Sequence, residues 1–173
     1  MVDTAISTPL SKNFLSPLGF KFSLKRAPNL VFNVQKATLP GVNLGVVDVP
    51  TPFSIIPLGG KIFYPEFSLQ FLVDEDLNNY LEIYNWMIGV GFPREFEQHK
   101  ALSDQPKFSG TGLVSDMNLT ILTSTSTPNI SVDFIDAFPI RLSDLIMSTT
   151  EENVNYIEST VSFRYQRHEI TKL

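Results

Sequence analysis

The stretch FSLQFLVDEDLNNYLEIYNWMIGV, residues 67–90, changes its hydrophobic period partway along, and that change constrains the fold more than any other feature of the chain. Phe67, Leu69, Phe71 and Val73 alternate with other residues, the period-2 pattern of a strand with one face buried. From Leu77 the period becomes helical: Leu77, Tyr80, Leu81, Tyr84 and Ile88 fall at i, i+3, i+4, i+7 and i+11. The spacing predicts one helix over about 75–89, with Asp74 as its N-cap and Gly89 or Gly91 as its stop. The acidic run Asp74–Glu75–Asp76 is what a helix start favours, because unpaired N–H groups and the macrodipole attract negative charge there.

Elsewhere the pattern is that of strands. FKFSLK (20–25), LVFNVQKATL (30–39), MNLTILT (117–123) and NISVDFIDA (129–137) are β-branched and aromatic. FPIRLSDLIMS (138–148) reads as a strand broken by Pro139, and NVNYIESTVSFRYQ (153–166) alternates Thr160, Ser162 and Arg164 against Val161, Phe163 and Tyr165. Four prolines between Val49 and Glu66 argue against a central strand, so residues 46–66 are expected as a long shaped loop. That loop carries Phe53, Ile55 and Ile56, which something should cover. A short helix over 93–102 and a loop over 103–112 complete the pass. Residues 1–19 read as an arm ordered by its neighbours, 20–166 as one domain, and 167–173 as a C-terminal tail. The expected architecture is mainly β: an antiparallel β-barrel or sandwich of about eight strands with one flanking α-helix.

Chemistry is not indicated. The chain of 173 residues has no Cys, which removes thiolate nucleophiles, thiolate metal sites and disulfides. His99 and His168 are isolated, LGGKIF (58–63) lacks phosphate-loop spacing, and no Gly-x-Ser-x-Gly elbow occurs. Glu151 and Glu152 are adjacent acids of a turn, and Asn118 and Asn129 match a glycosylation pattern by accident. No catalytic residue, metal or cofactor is therefore expected. No apolar run reaches the roughly 20 residues of a membrane helix, and the start of the chain lacks a signal pattern, so a cytosolic product with no membrane partner is expected. The net charge of −5 disfavours nucleic-acid binding, which profits from Lys and Arg.

Trp86, Tyr80 and Tyr84 could form a sugar-stacking platform, but their helical spacing makes them core or interface first. With Ile83, Trp86 and Met87 off the main stripe, the helix is apolar on more than one face. One side should meet its own barrel and the other a partner subunit.

Three segments, in order, carry a resemblance. VFNVQKATLPGVNL (31–44), FSLQFLVDEDLNNYLEIYNWM (67–87) and VDFIDAFPIRLSDLIMSTTEENVNYIESTVSFRYQ (132–166) are similar to segments of the tail tube proteins of contractile-tailed bacteriophages. The resemblance implies a virion structural protein, assembled in the host cytoplasm, whose hexameric rings share a continuous inner sheet and stack into a tube that conducts DNA without binding it. The helix would lie outside or between subunits and the long loop would reach a neighbouring ring. Sheath, baseplate and terminator proteins are the implied partners. The expected role is the tail tube subunit. The alternatives are another ring of the same fold, a tail terminator or baseplate initiator, and, from a different class, a carbohydrate-binding β-sandwich. The residues expected to carry assembly are Phe53, Ile55 and Ile56 in the loop and Ile83, Trp86 and Met87 on the second helix face.

Overall fold

The computed structural model describes residues 14–91, 97, 100, 112–149 and 156–173. Residues 1–13 of the expected arm, most of the 93–102 and 103–112 segments, His99, Glu151 and Glu152 lie outside them. The elements run β1 (Phe20–Leu24), α1 (Pro28–Phe32), β2 (Val34–Thr38), β3 (Asn43–Pro50), β4 (Ile55–Phe63), β5 (Phe67–Leu72), α2 (Asn78–Gly91), β6 (Ser115–Leu122), β7 (Pro128–Leu142), β8 (Glu158–Arg164) and β9 (Arg167–Lys172).

The centre of the fold is one long ladder. β7 pairs antiparallel with β9 from Ile130↔Lys172 to Ile135↔Arg167, and with β8 from Phe138↔Arg164 onward, in the same register on both sides of the join. At the join Asp136 has φ 54° and Gln166 N–H donates to the Ile135 carbonyl at 3.0 Å. This kink turns the chain from one sheet into the other. Val132 and Phe134 face the core before it, Ala137 and Pro139 after it, so the inward parity changes by one residue. β6 and β1 continue the sheet from the first half of β7, and β5 and β2 continue it from β8, in the order β1-β6-β7-β8-β5-β2. Phe67 on β5 then meets Phe134 on β7 at 4.7 Å between ring centroids, and stacks on Phe22 of β1 at 5.8 Å. Fully burying each such ring stabilises the fold by about 1.5–3 kcal/mol.

The mainly β architecture with a flanking helix agrees with the expectation, and five details correct it. Pro139 does not break its strand: it sits within the 15-residue β7, where the register shifts between Pro139 and Arg141. Residues 167–173 are not a tail, since β9 pairs with β7. Pro28–Phe32 forms a short helix where a strand was expected to begin at Leu30, because Pro28 suits a first helical turn and Leu30 is buried beneath it. Residues 46–66 are mostly a β-hairpin, β3–β4, and not a loop. Asp74 does not cap α2, which starts at Asn78; the acids occupy a turn closed by Leu77 N–H donating to the Asp74 carbonyl at 2.9 Å, with Leu77 at φ 58°.

Candidate assembly surface

The β3–β4 hairpin is built to be covered. A two-stranded sheet has only edge strands, so Pro50 and Pro57 each lose a ladder N–H at little cost. Gly45, Gly59 and Gly60 let the two backbones approach at the register shift: a Cβ on Gly60 would stand 3.1 Å from the Gly45 carbonyl oxygen. Ten large apolar side chains of the hairpin are exposed, among them Val46, Ile55, Ile56 and Ile62, and its residues are open on both faces. At the tip the Thr51 hydroxyl donates to the Ser54 carbonyl at 2.6 Å and accepts from Ser54 N–H at 3.1 Å. That lock leaves Phe53 98% exposed.

The helix α2 divides its two apolar faces in the opposite sense to the sequence expectation. Asn79, Ile83, Trp86 and Gly89 are the buried positions. Asn79 sets this rotation: its amide donates to the Leu72 carbonyl at 2.8 Å and its oxygen accepts from Asp74 N–H at 3.2 Å, tying the helix start to the end of β5. Trp86 packs on Phe163, carries the Arg26 guanidinium 5.0 Å above its ring, and donates from Nε1 to the Leu113 carbonyl at 2.8 Å. Burial lowers the Arg26 pKa from its usual value. Tyr80, Tyr84, Met87, Ile88 and Gly91 line, with Leu142 of β7, an apolar groove of about 400 Å3, with no charged side chain among the described residues that line it.

The outward face of β1, β6, β7 and β9 is polar. Asn118 donates to Ser131 Oγ and Asp133 Oδ1, both at 2.6 Å, and Thr120 donates to Asn118 Oδ1 at 2.8 Å. Arg167 pairs with Glu169 at 2.9 Å, and Asp116 accepts from Asp136 N–H at 3.2 Å. Lys21 on β1 and Arg167 on β9 share this face with Asp116, Asp133 and Glu169, so acids and bases are interspersed among the described residues. At the base of the hairpin Tyr64, Tyr165 and Phe134 surround the His168 ring at 5.2–5.8 Å between centroids. Burial lowers the His168 pKa below its usual value, and burial followed by repulsion from Tyr64 pushes the Tyr165 phenol up to about 12.

Of the residues singled out in the sequence, Phe53, Ile55 and Ile56 stand exposed on the hairpin. Ile83 and Trp86 are 0% and 2% exposed, inside the chain's own core, so the second helix face they mark is the covered one. Met87 is half-buried and borders the groove. A Trp enclosed in this way offers no platform for a sugar. Of the helical stripe read from the sequence, Tyr80 packs partly against the core, whereas Leu81 and Tyr84 are 43% and 47% exposed. The signal that could have placed them outside is Asn79, a short amide at the first turn able to bond the preceding backbone. Among the described residues no cluster of His, Asp and Glu is placed to hold a metal ion, and no helix is long and apolar enough to cross a membrane.

Known proteins place this geometry. The chain is 26% identical over 145 residues to the tail tube terminator protein of Enterobacteria phage T4, covering 81% of this chain and 77% of that protein. Its fold superposes on the tube-terminating cap of the anti-feeding prophage with a TM-score of 0.67 at 13% identity, covering 100% of both chains. It also superposes on a chain of the PVC sheath–tube complex, an extracellular contractile injection system in its extended state, with a TM-score of 0.62 at 9% identity over 96% of this chain and 100% of that one. The sequence profile described as phage tail tube protein matches residues 3–171. The chain belongs to the phage tail tube protein family, and is a structural component of the viral tail and not an enzyme.

Proposed function

We propose that this chain is a tail tube terminator: a ring-forming subunit that seats on the last ring of the tube and ends its growth. The single observation that carries this reading is the 26% identity to the T4 tail tube terminator across 81% of the chain. The fold shared along its full length with a tube-terminating cap supports it. The main-tube subunit expected from the sequence is thereby the second reading, and it keeps only what the family as a whole supplies.

The geometry suits a ring. The ten exposed apolar side chains of the hairpin, at about 150–250 Å2 for a fully exposed aromatic and less for the aliphatics, present on the order of 800 Å2, about one partner's share of a standard interface. Six copies would close such a contact around an axis. The polar face of β1, β6, β7 and β9 is the surface suited to line the channel. Its hydroxyls, amides and interspersed charges offer passing DNA no cationic groove in which counterion release would hold it. The tube below, the sheath around it and further copies of this chain are the partners; DNA passes without specific binding.

Negative-stain electron microscopy over a range of concentrations tests the role. Rings that never extend, and that stop elongation when added to growing tubes of the same phage's tube protein, are expected. Open-ended tubes built from this chain alone would restore the main-tube reading.

A further inference from the structure

We propose that the hydroxyl-lined pocket on the outward face of β5, β8 and the end of β7 binds a protonated phosphate, with Arg141 holding the anion and Asp144 accepting its P–OH proton.

Pairing across three strands builds the floor. Ser68 of β5 and Arg141 of β7 both stand opposite Ser162 of β8, and Gln70 stands opposite Thr160, so these side chains share one face of the sheet. Ser162 lies on that outward face and is nevertheless only 8% exposed, which makes it the bottom of a depression of about 590 Å3. Ser143 and Asp144, where the chain leaves β7, complete the wall. Long charged side chains roof a solvated sheet face where they occur; the short hydroxyls of Ser68, Thr160 and Ser162 leave this one open.

The polar groups of the pocket lack partners. Among the described residues neither Arg141 nor the Asp144 carboxylate makes a hydrogen bond or ion pair, and the two are not paired with each other. The Ser68 and Ser162 hydroxyls stand 3.4 Å apart, so one proton serves that contact and the other remains to be donated. Thr160 N–H donates to Ser143 Oγ at 2.9 Å, while the Thr160 hydroxyl has no partner among the described residues. Glu158, on the same face of β8, is already engaged by Gln70.

A guanidinium fork beside several hydroxyls is the donor set of an oxyanion. The Asp144 carboxylate then discriminates among oxyanions: it repels a fully ionised one and accepts a proton from a partly ionised one. Inorganic phosphate keeps a P–OH at neutral pH, whereas sulfate and the phosphodiesters of nucleic acid have none. Phosphate is therefore selected over both.

Equilibrium dialysis of the full chain against radiolabelled inorganic phosphate, at neutral pH and fixed ionic strength, tests the site. Saturable binding of one phosphate per chain is expected, displaced by unlabelled phosphate and about tenfold less well by sulfate. Arg141→Gln, at an exposed position, should weaken binding about tenfold or more without lowering the melting temperature. Asp144→Asn should let sulfate compete as well as phosphate. An absence of saturable binding, or binding that Arg141→Gln leaves unchanged, would overturn the site. Equal competition by sulfate in the parent would overturn the selection of a protonated phosphate, and so would displacement by an oligonucleotide without terminal phosphates as effective as that by phosphate itself.

Discussion

Trp86→Ala separates a core role from a surface role for the helix. Trp86 is the chain's one Trp and is 2% exposed, with its ring between Phe163 and the Arg26 guanidinium. Truncating a buried Trp to Ala costs about 3–5 kcal/mol through lost transfer and the cavity left behind. Two further losses place this site at the upper end. The Leu113 carbonyl loses its donor, about 1 kcal/mol or more for a buried acceptor, and Arg26 loses the ring that accompanies its partly buried charge. About 4–5 kcal/mol would remove between about a quarter and all of a typical domain stability of about 5–15 kcal/mol. For a domain of this length that is a fall in Tm of roughly 8–20 °C at about 2–4 °C per kcal/mol. The assay is urea denaturation followed by far-UV circular dichroism, since the variant has no Trp fluorescence; the midpoint should fall at an unchanged m value. Trp86→Phe, which keeps a ring and loses the N–H, should cost about 1–3 kcal/mol. A Trp86→Ala protein within about 0.5 kcal/mol of the parent would place the side chain at the surface and refute the assignment of the covered helix face.

Three other perturbations probe the same framework. Asn79→Ala leaves the Leu72 carbonyl and Asp74 N–H without partners in a buried position, and should cost about 2–3 kcal/mol by urea denaturation. Asp136→Val places a β-branched residue at φ 54° and should destabilise by about 1–3 kcal/mol, whereas Asp136→Gly should stay within about 1 kcal/mol of the parent in the same assay. His168 is held below its usual pKa of 6.5 by burial, so the unfolded chain binds its proton first. Its contribution is therefore fully present above pH 6.5 and is lost as pH falls through the depressed value. Thermal melts from pH 7.5 downward should show a shallower decline for His168→Gln than for the parent.

How far the sequence could be read depended on whether one signal acted alone. β5 and β8 were legible because Phe67, Leu69 and Phe71 on one, and Val161 and Phe163 on the other, alternate cleanly against polar neighbours over one buried face. The helix was legible as a helix and illegible in its rotation. Ile83 with Trp86 and Tyr80 with Tyr84 are equally apolar pairs, and the choice between them is made by Asn79, whose two bonds to backbone lie outside any hydrophobic count. The hairpin was hidden by its prolines, which forbid a central strand and are tolerated where both strands are edges. β9 was hidden by its composition: Arg167, His168, Glu169 and Lys172 read as a solvated tail, yet charge is how an edge strand avoids unwanted pairing. Pro139 and Asp136 concealed the continuity of β7, because a kink that changes sheet looks in sequence like two strands.

The same distinction explains why family is plain in this chain while role has to be argued. A tube subunit and a terminator can share a fold, since this chain superposes on a tube-terminating cap and on a chain of a sheath–tube complex alike. They differ along the axis, where a subunit that keeps adding needs two complementary end faces and a terminator needs one. Core positions such as Phe67, Phe134 and Val161 tolerate apolar exchange while volume and pattern are kept, so a profile can span residues 3–171 with modest identity to any single relative. In the proposed ring, contacts that close the circle sideways leave both end faces free of that duty. Altering one end face would then abolish stacking without disturbing either the fold or the ring. Substitutions at the tip, such as Phe53→Asp, should therefore dismantle rings of a folded protein, whereas substitutions on an end face should change only whether those rings stack.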